Sequence, residues 1–171
     1  MSRAATNRLL LVLALAGIGV AGYLTMTHLN YLQMSCGKSS GCEEVAQHYS
    51  AHGFGIPALR SIPTAAFGLA MYLGLAALCF VRAMAGRERT ARLAGLLQWA
   101  MTFGGVLVAS WLTYMEAFVI HAWCRWCVGS AIIILLAFVV STVEQRSKRS
   151  WCIPVSVGDD ATADGANGAE V

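Results

Sequence analysis

The sequence has little charge for its length. Only 12% of its 171 residues are Asp, Glu, Lys or Arg, whereas 57% are hydrophobic and the mean hydropathy is +0.61. Water-soluble domains carry about 25% charged residues, which help to cover their surface. The shortage excludes an ordinary water-soluble domain and indicates an environment of membrane lipid. The net charge of +3 gives no reason to expect a nucleic-acid partner.

Four long apolar runs fill most of the chain: residues 9–29, 62–85, 91–120 and 124–143. Each reaches the roughly 20 residues with which a helix crosses the hydrocarbon core of a bilayer. Because backbone groups cannot stay unpaired in lipid, the runs predict helices. The first run is longer than the roughly 7–15 residues of a signal-peptide core, so we interpret it as a retained helix. The predicted fold is an all-α integral membrane protein, a four-transmembrane-helix bundle.

The basic residues are distributed unevenly along the chain. Nine of the twelve lie before the first run, at or near the turn between the second and third, or after the fourth: Arg3, Arg8, Arg82, Arg87, Arg89, Arg92, Arg146, Lys148 and Arg149. The positive-inside rule therefore predicts that both termini are cytoplasmic. Residues 1–8 then form a cytoplasmic N-terminus, 9–143 the membrane domain, and 144–171 a cytoplasmic basic segment with a disordered tail. The loop 30–61 and the turn 121–123 face the outer side.

The cysteines separate into two pairs and two single residues on this map. They are Cys36 and Cys42 in the outer loop, Cys124 and Cys127 at the outer start of the fourth helix, and the single residues Cys79 and Cys152. Both pairs lie on the oxidising side of the membrane, where thiol–disulfide chemistry is permitted. The single residue inside the second helix is predicted to pack in the core, and the cytoplasmic one to stay reduced.

The stretch CRWC at 124–127 places two cysteines in the first turn of a helix. Their spacing brings both thiols to one face, and the positive end of the helix dipole favours a thiolate. A redox-active pair, a static disulfide and a zinc site that also uses the loop pair all remain open. The gap between Cys36 and Cys42 is wider than in zinc knuckles. A c-type haem is excluded because Val128 stands where it needs His.

The loop cysteines lie in the segment MSCGKSSGCEEV, whose glycines and serines make it flexible enough to swing. A mobile outer pair and a fixed pair at the membrane suggest a relay in which electrons move by disulfide exchange. The inner pair then needs an acceptor that is soluble in the bilayer. A quinone fits, because it takes two electrons and has an apolar tail.

The order of these features resembles the vitamin K epoxide reductase family, in its small bacterial form. The resemblance spans roughly residues 10–143. It includes the loop pair Cys36 and Cys42, FGIP at 54–57, PTAAFGLAMY at 63–72 opening the second helix, and CRWC at 124–127. The combination of four cysteines in register with four helices is specific, whereas any one piece alone is weak.

The resemblance implies a quinone-dependent thiol–disulfide oxidoreductase that supports disulfide bond formation. It implies that Cys127 faces the quinone, that Cys124 exchanges with Cys42, and that Cys36 faces the protein partner. Bacterial relatives lie in the inner (plasma) membrane, oxidise periplasmic or extracellular thioredoxin-like (DsbA-like) proteins and reduce menaquinone or ubiquinone. Since no thioredoxin-like domain follows the fourth helix, we expect a separate partner protein. Vertebrate relatives reduce vitamin K epoxide, which is the alternative activity.

Four residues are expected at the quinone: Thr64, Phe67, Trp126 and Ala131. Vertebrate relatives have Asn at the position of Thr64 and Tyr at the position of Ala131. Thr64 can still donate a hydrogen bond whereas Ala131 cannot, which weakens the prediction of epoxide reduction. Trp126 has a second interpretation as an anchor at the membrane interface.

Two residues are candidates for proton transfer, which quinone reduction requires. His48 stands beside the loop cysteines where relatives have Ser or Thr, and Glu116 is an acid near the outer end of the third helix. A solvated interfacial side chain is the alternative for each. The segment CEEVAQHYSAHGFGIP at 42–57 predicts a short amphipathic helix in the outer loop that covers the bundle as a lid.

Two other classes of protein remain open. A DsbB-like oxidase performs related chemistry, but its Cys-x-x-Cys pair precedes its spaced pair, and the order here is reversed. A non-enzymatic membrane protein would use the same cysteines for structural disulfides or zinc. The redox interpretation, which we favour, needs no metal.

Overall fold

Four long helices form most of the chain described by the computed structural model, which covers residues 3–29, 45–46, 48, 51–52, 58 and 62–149. Their bounds are α1 Arg3–His28, α2 Thr64–Met84, α3 Glu88–Tyr114 and α4 Arg125–Arg149. Four segments are long and apolar enough to cross a membrane: Ala4–His28, Thr64–Met84, Glu88–Ile120 and Arg125–Arg146. The predicted all-α fold with four transmembrane helices is confirmed.

Two helices extend by more than one turn beyond the apolar runs from which they were predicted. α1 begins before residue 9, and α4 continues past residue 143. The added turns are polar and are held by hydrogen bonds to neighbouring helices. Asn7 Nδ2 donates to the Cys79 carbonyl, and Gln145 Nε2 donates to the Gly95 carbonyl, each at 2.9 Å. Hydropathy does not detect such turns, because polar partners rather than apolar burial stabilise them.

The helices pack in a ring. α1 lies against α2 and α4, and α3 lies against the same two helices, so α1 and α3 are diagonally opposite. The core between them includes Leu10, Ala14, Tyr72, Leu75 and Ile134. Large apolar side chains on the outer faces of all four helices stay exposed, as expected of surfaces that contact lipid.

The third membrane span changes its geometry before it ends. Beyond α3 the backbone continues as a π-helical turn, Met115–Ile120, which we call the π segment. His121 then adopts a left-handed conformation with a φ of 55°. The N–H groups of His121 and Ala122 both donate to the Glu116 carbonyl, the second at 3.2 Å. These bonds close a tight turn, and α4 starts directly after it at Arg125.

The bundle has two chemically different ends. The end with His28, Thr64, Ile120 and Cys124 is called the cysteine end. The opposite end, where α2 connects to α3, is called the arginine end because Arg82 is buried there with 6% exposure. The charge pattern placed Arg82 among cytoplasmic basic residues and did not predict its burial.

A polar cluster of Asn7, Cys79, Arg82, Gln98 and Glu144 joins all four helices at the arginine end. The Arg82 guanidinium donates to Gln98 Oε1 at 2.8 Å and forms an ion pair with Glu144. Gln98 Nε2 donates to the Cys79 sulfur at 3.1 Å. Cys79 lies in the core as predicted, and it also accepts a hydrogen bond there.

Most of the outer loop and the C-terminal tail lie outside the described residues. Cys36, Cys42 and Cys152 are therefore not described, nor is most of the predicted amphipathic helix at 42–57. Within that segment Val45 and Ala46 are helical. His52 forms an isolated antiparallel bridge with Pro63, just before α2.

Candidate active site

A cavity of about 360 Å³ lies between the helices at the cysteine end. All four helices, the π segment and Cys124 contribute to its walls, and Val45, Ala46 and Ala51 of the outer loop line it too. Small-molecule sites commonly have volumes of about 300–1,000 Å³. The cavity is therefore large enough to hold the head of a small organic ligand.

The cavity brings together most of the described residues that the sequence singled out. The predicted site residues in its wall are Thr64, Phe67, Glu116, Cys124, Cys127 and Ala131. Trp126 and His48 do not line it. The predicted catalytic residues Cys36 and Cys42 lie outside the described part of the chain. The fold therefore brings together the predicted site residues that lie at the membrane, including the inner cysteine pair of the predicted relay.

The two cysteines of the CRWC motif have different environments although both are free thiols. Cys124 is 2% exposed and lies just before α4, where its carbonyl accepts the N–H of Val128 at 3.0 Å. The Cys127 thiol donates a hydrogen bond to Cys124 and lowers the pKa of Cys124 to about 7, with help from the first N–H groups of the helix. Burial and the nearby Glu116 carboxylate oppose this shift. Cys124 is therefore the thiol that ionises readily near neutral pH.

Glu116 lies beside both cysteines. Its Oε2 accepts the backbone N–H of Cys124 at 3.3 Å, and its carboxylate accepts a hydrogen bond from the Cys127 thiol. The side chain is well buried, with 4% of the residue exposed. The Cys127 thiol has one proton and two acceptors for it, Cys124 and Glu116. The trio can therefore shift a proton among its members without a large movement.

Three of the four expected quinone contacts line the same cavity as this trio. Thr64 is the first residue of α2 and is buried, with Phe67 one turn further and Ala131 one turn beyond Cys127 on α4. Trp126 instead packs its ring against Tyr23 of α1, with a centroid separation of 4.7 Å. The Trp126 indole N–H is buried and has no hydrogen-bond partner among the described residues.

Two residues in the cavity wall were missed by sequence reasoning. Tyr72 lines the cavity, and its hydroxyl is 3.1 Å from both the carbonyl and the hydroxyl oxygen of Ser130. His28 ends α1 and lines the cavity, and its ring meets that of His52 edge to face at 5.8 Å. Polar side chains within apolar runs were the available signal, but a sequence does not show which face of the helix they occupy.

The inner end of the cavity is formed by small and flexible residues. Gly105 of α3 lines it, and a Cβ atom there would lie 2.8 Å from both Ile134 Cγ1 and Met71 Sδ. Glycine at this position therefore allows α3 to approach its neighbours closely. The wall as a whole is mainly apolar, with thiols, a carboxyl group, hydroxyl groups and an imidazole towards the cysteine end. Such a lining fits a ligand with an apolar ring, an apolar tail and carbonyl oxygens.

The zinc alternative depends in part on residues outside the described chain. Within residues 3–29 and 62–149 and the short described pieces of the loop, no three His, Cys, Asp or Glu side chains form a group that could hold a metal ion. A zinc site with four thiolates would require Cys36 and Cys42, which the structure does not describe.

The chain matches the model of a known protein family. A family model described as the vitamin K epoxide reductase family matches residues 8–142, which is most of the chain. The matched range runs from α1 to α4 and includes both cysteine pairs and every residue named above in the cavity wall. No curated protein matches the chain.

Proposed function

Because the chain belongs to the vitamin K epoxide reductase family, we propose that it transfers electrons from a thioredoxin-like protein to a membrane quinone through two pairs of cysteines. The family and the four apolar spans make the chain a multi-pass membrane oxidoreductase of the thiol–disulfide and quinone type. The observation that carries the finer proposal is the cavity, where both CRWC cysteines and a buried carboxyl group meet apolar walls.

Electrons enter at the outer loop in this proposal. The partner's dithiol reduces the Cys36–Cys42 disulfide, and the Cys42 thiolate then attacks Cys124 of an oxidised CRWC pair, which releases Cys127. Cys36 attacks Cys42 in turn and frees Cys124. Each step exchanges one S–S bond for another, and the two exchanges between the pairs together move two electrons inward. The low pKa of Cys124 makes it a good leaving group in the last of these steps.

Reduction of the acceptor restores the Cys124–Cys127 disulfide. The quinone supplies an acceptor for two electrons and two protons that is soluble in the bilayer. Cys127, which lines the cavity, delivers the electron pair, and the Cys124 thiolate closes the S–S bond. Glu116 accepts the proton of the Cys127 thiol, to which it is already hydrogen-bonded, and holds it for the nearer quinone oxygen.

The remaining predicted residues have supporting roles. Thr64 offers a hydroxyl and Phe67 an apolar face to the ring, whereas Ala131 leaves space without a hydrogen-bond donor. Trp126 fixes the first turn of α4 by packing on Tyr23. His48 stays a candidate for proton transfer at the outer loop.

We place the protein in the bacterial inner (plasma) membrane with the cysteine end facing the periplasmic or extracellular side and both termini in the cytoplasm. The charge pattern supports this orientation. The loop residues that line the cavity, Val45, Ala46 and Ala51, support a lid that excludes water from the site. The donor is a separate DsbA-like protein, and the acceptor is menaquinone or ubiquinone.

Reconstitution in liposomes tests the proposal. With ubiquinone or menaquinone and a reduced DsbA-like protein, we expect the quinone absorbance to fall as the partner is oxidised. Cys127→Ala should abolish quinone reduction, whereas Cys79→Ser, at the arginine end, should retain it. Cys36→Ala should lose the protein partner but keep activity with a small dithiol. Full activity of Cys127→Ala would contradict the relay, and exposing the same preparation to vitamin K epoxide tests the alternative substrate.

A further inference from the structure

The last residue of α1 shares the cavity with the cysteines. His28 lines the wall, half-buried, and the ring of His52 meets it edge to face at 5.8 Å. Neither residue was singled out for proton transfer by the sequence, which favoured His48. His48 does not line the cavity, and His121 is exposed on the turn before α4. Among the four histidines, His28 is therefore the one placed to contact a ligand in the cavity.

Two acid–base groups then face the cavity from diagonally opposite parts of the bundle. Glu116 is on the π segment that continues α3, beside Cys124 and Cys127. His28 is on α1, which lies across the ring from α3. A quinone has two carbonyl oxygens at opposite ends of its ring. A ring held at Cys127 therefore places one oxygen towards Glu116 and the other away from it.

We propose that His28 is the proton donor to the quinone oxygen farther from Cys127, and that His52 returns protons to it from the outer side. This inference rests on the proposed quinone reductase function and adds a catalytic residue to it. Closure of the S–S bond breaks two thiol S–H bonds and transfers two electrons. One thiol proton passes from Cys127 through Glu116 to the nearer oxygen. Cys124 has already released its proton to the water on the outer side. A replacement proton passes from that water through His52 and His28 to the farther quinone oxygen.

The surroundings of His28 suit this role. It is the last residue of α1, so it lies at the cysteine end of the bundle. The described titratable groups that face the same cavity are Tyr72 from α2, Glu116 from the π segment, and the two CRWC cysteines. His52 is the group next to it from the loop, and its bridge with Pro63 fixes it to the start of α2. A relay between the two rings therefore needs no change in the helices.

The experiment compares histidine variants in the quinone half-reaction. The Cys124–Cys127 dithiol is mixed with a short-tailed menaquinone or ubiquinone, both of which have a fully substituted quinone ring that does not add thiols. His28→Gln should slow the reaction about 100-fold, as loss of a general acid does. His52→Gln should slow it less, and Arg89→Gln, an exposed position at the arginine end, should match wild type. The wild-type pH–rate profile should fall at acid pH, where Cys124 is protonated, and at alkaline pH, where His28 is neutral. His28→Gln should lose the alkaline limb.

A second measurement depends neither on turnover nor on the folding of His28→Gln. In Cys127→Ala protein, the quinone should protect His28 from diethyl pyrocarbonate, as measured by peptide mass spectrometry, and should leave His121 unprotected. If wild-type protein reduces quinone and His28→Gln keeps both the wild-type rate and the alkaline limb, the role of His28 is wrong. The proposed quinone reductase function would still stand. Unprotected His28 in a protein that binds quinone would likewise contradict the role of His28. Failure of wild-type protein to reduce any quinone would overturn the proposed function and this inference with it.

Discussion

At the scale of single residues, the two cysteines of the CRWC motif differ because their hydrogen bonds differ. Cys124 accepts hydrogen bonds from the Cys127 thiol and from backbone N–H groups at the start of α4, which lowers its pKa to about 7. A lowered thiol pKa means that the reactive thiolate forms as the pH rises through 7 and is lost below it. The sequence predicted a stabilised thiolate in this turn, but it did not predict which cysteine would have it.

Alkylation of the reduced protein measures this difference. We expect the rate of iodoacetamide modification at Cys124, followed by peptide mass spectrometry, to rise between about pH 6 and pH 8. Cys127→Ala removes the strongest hydrogen bond, so the midpoint should move to higher pH and the rate at pH 7 should fall roughly tenfold. Cys79→Ser is the control and should leave the profile unchanged. A midpoint that Cys127→Ala does not move would refute the role of the hydrogen bond.

At the scale of elements, the π segment explains how an acid in an apolar helix reaches the cysteines. The apolar pattern correctly predicted a helix up to residue 120, and an acid inside it marked Glu116 as a candidate. The pattern contains no information on the change from α to π geometry, because that change is stabilised by bonds to the following turn. π-helical turns inside α-helices are frequent at functional sites. The turn and the acid form one unit with Cys124.

Glu116→Gln separates the hydrogen bond that Glu116 accepts from the Cys124 N–H from its proposed role as a proton acceptor. The amide keeps an oxygen for the Cys124 N–H, so the turn should persist, but it cannot accept a proton from Cys127. We expect single-turnover oxidation of the dithiol by quinone to slow by about 100-fold or more. The helical circular dichroism should stay the same. Glu88→Gln, an exposed acid at the start of α3, should match wild type. Equal rates for both variants would show that Glu116 is only structural.

At the scale of the whole molecule, the two ends of the bundle differ in how the helices pack. The cavity occupies the cysteine end, whereas the polar cluster joins all four helices at the arginine end. The number of spans followed from hydropathy, because length and composition decide whether a helix can cross a bilayer. The polar cluster could not be predicted in this way, since Arg82 and Glu144 lie near the ends of apolar runs and look like ordinary interfacial charges. Only the rotation of each helix about its axis shows that they meet.

Removing one member of the Arg82–Glu144 pair should cost more than removing both. Glu144→Leu leaves a buried guanidinium whose main counter-charge is gone, and breaking such a pair typically costs about 3–5 kcal/mol. The double variant Arg82→Leu/Glu144→Leu removes both charges and should recover much of that loss. Thermal unfolding in detergent, followed by tryptophan fluorescence, checks the order: wild type, double variant, single variant. Because the pair is at the far end of the bundle, the alkylation profile of Cys124 should be the same in all three proteins. If the double variant were as unstable as the single one, hydrogen bonding rather than charge pairing would stabilise the arginine end.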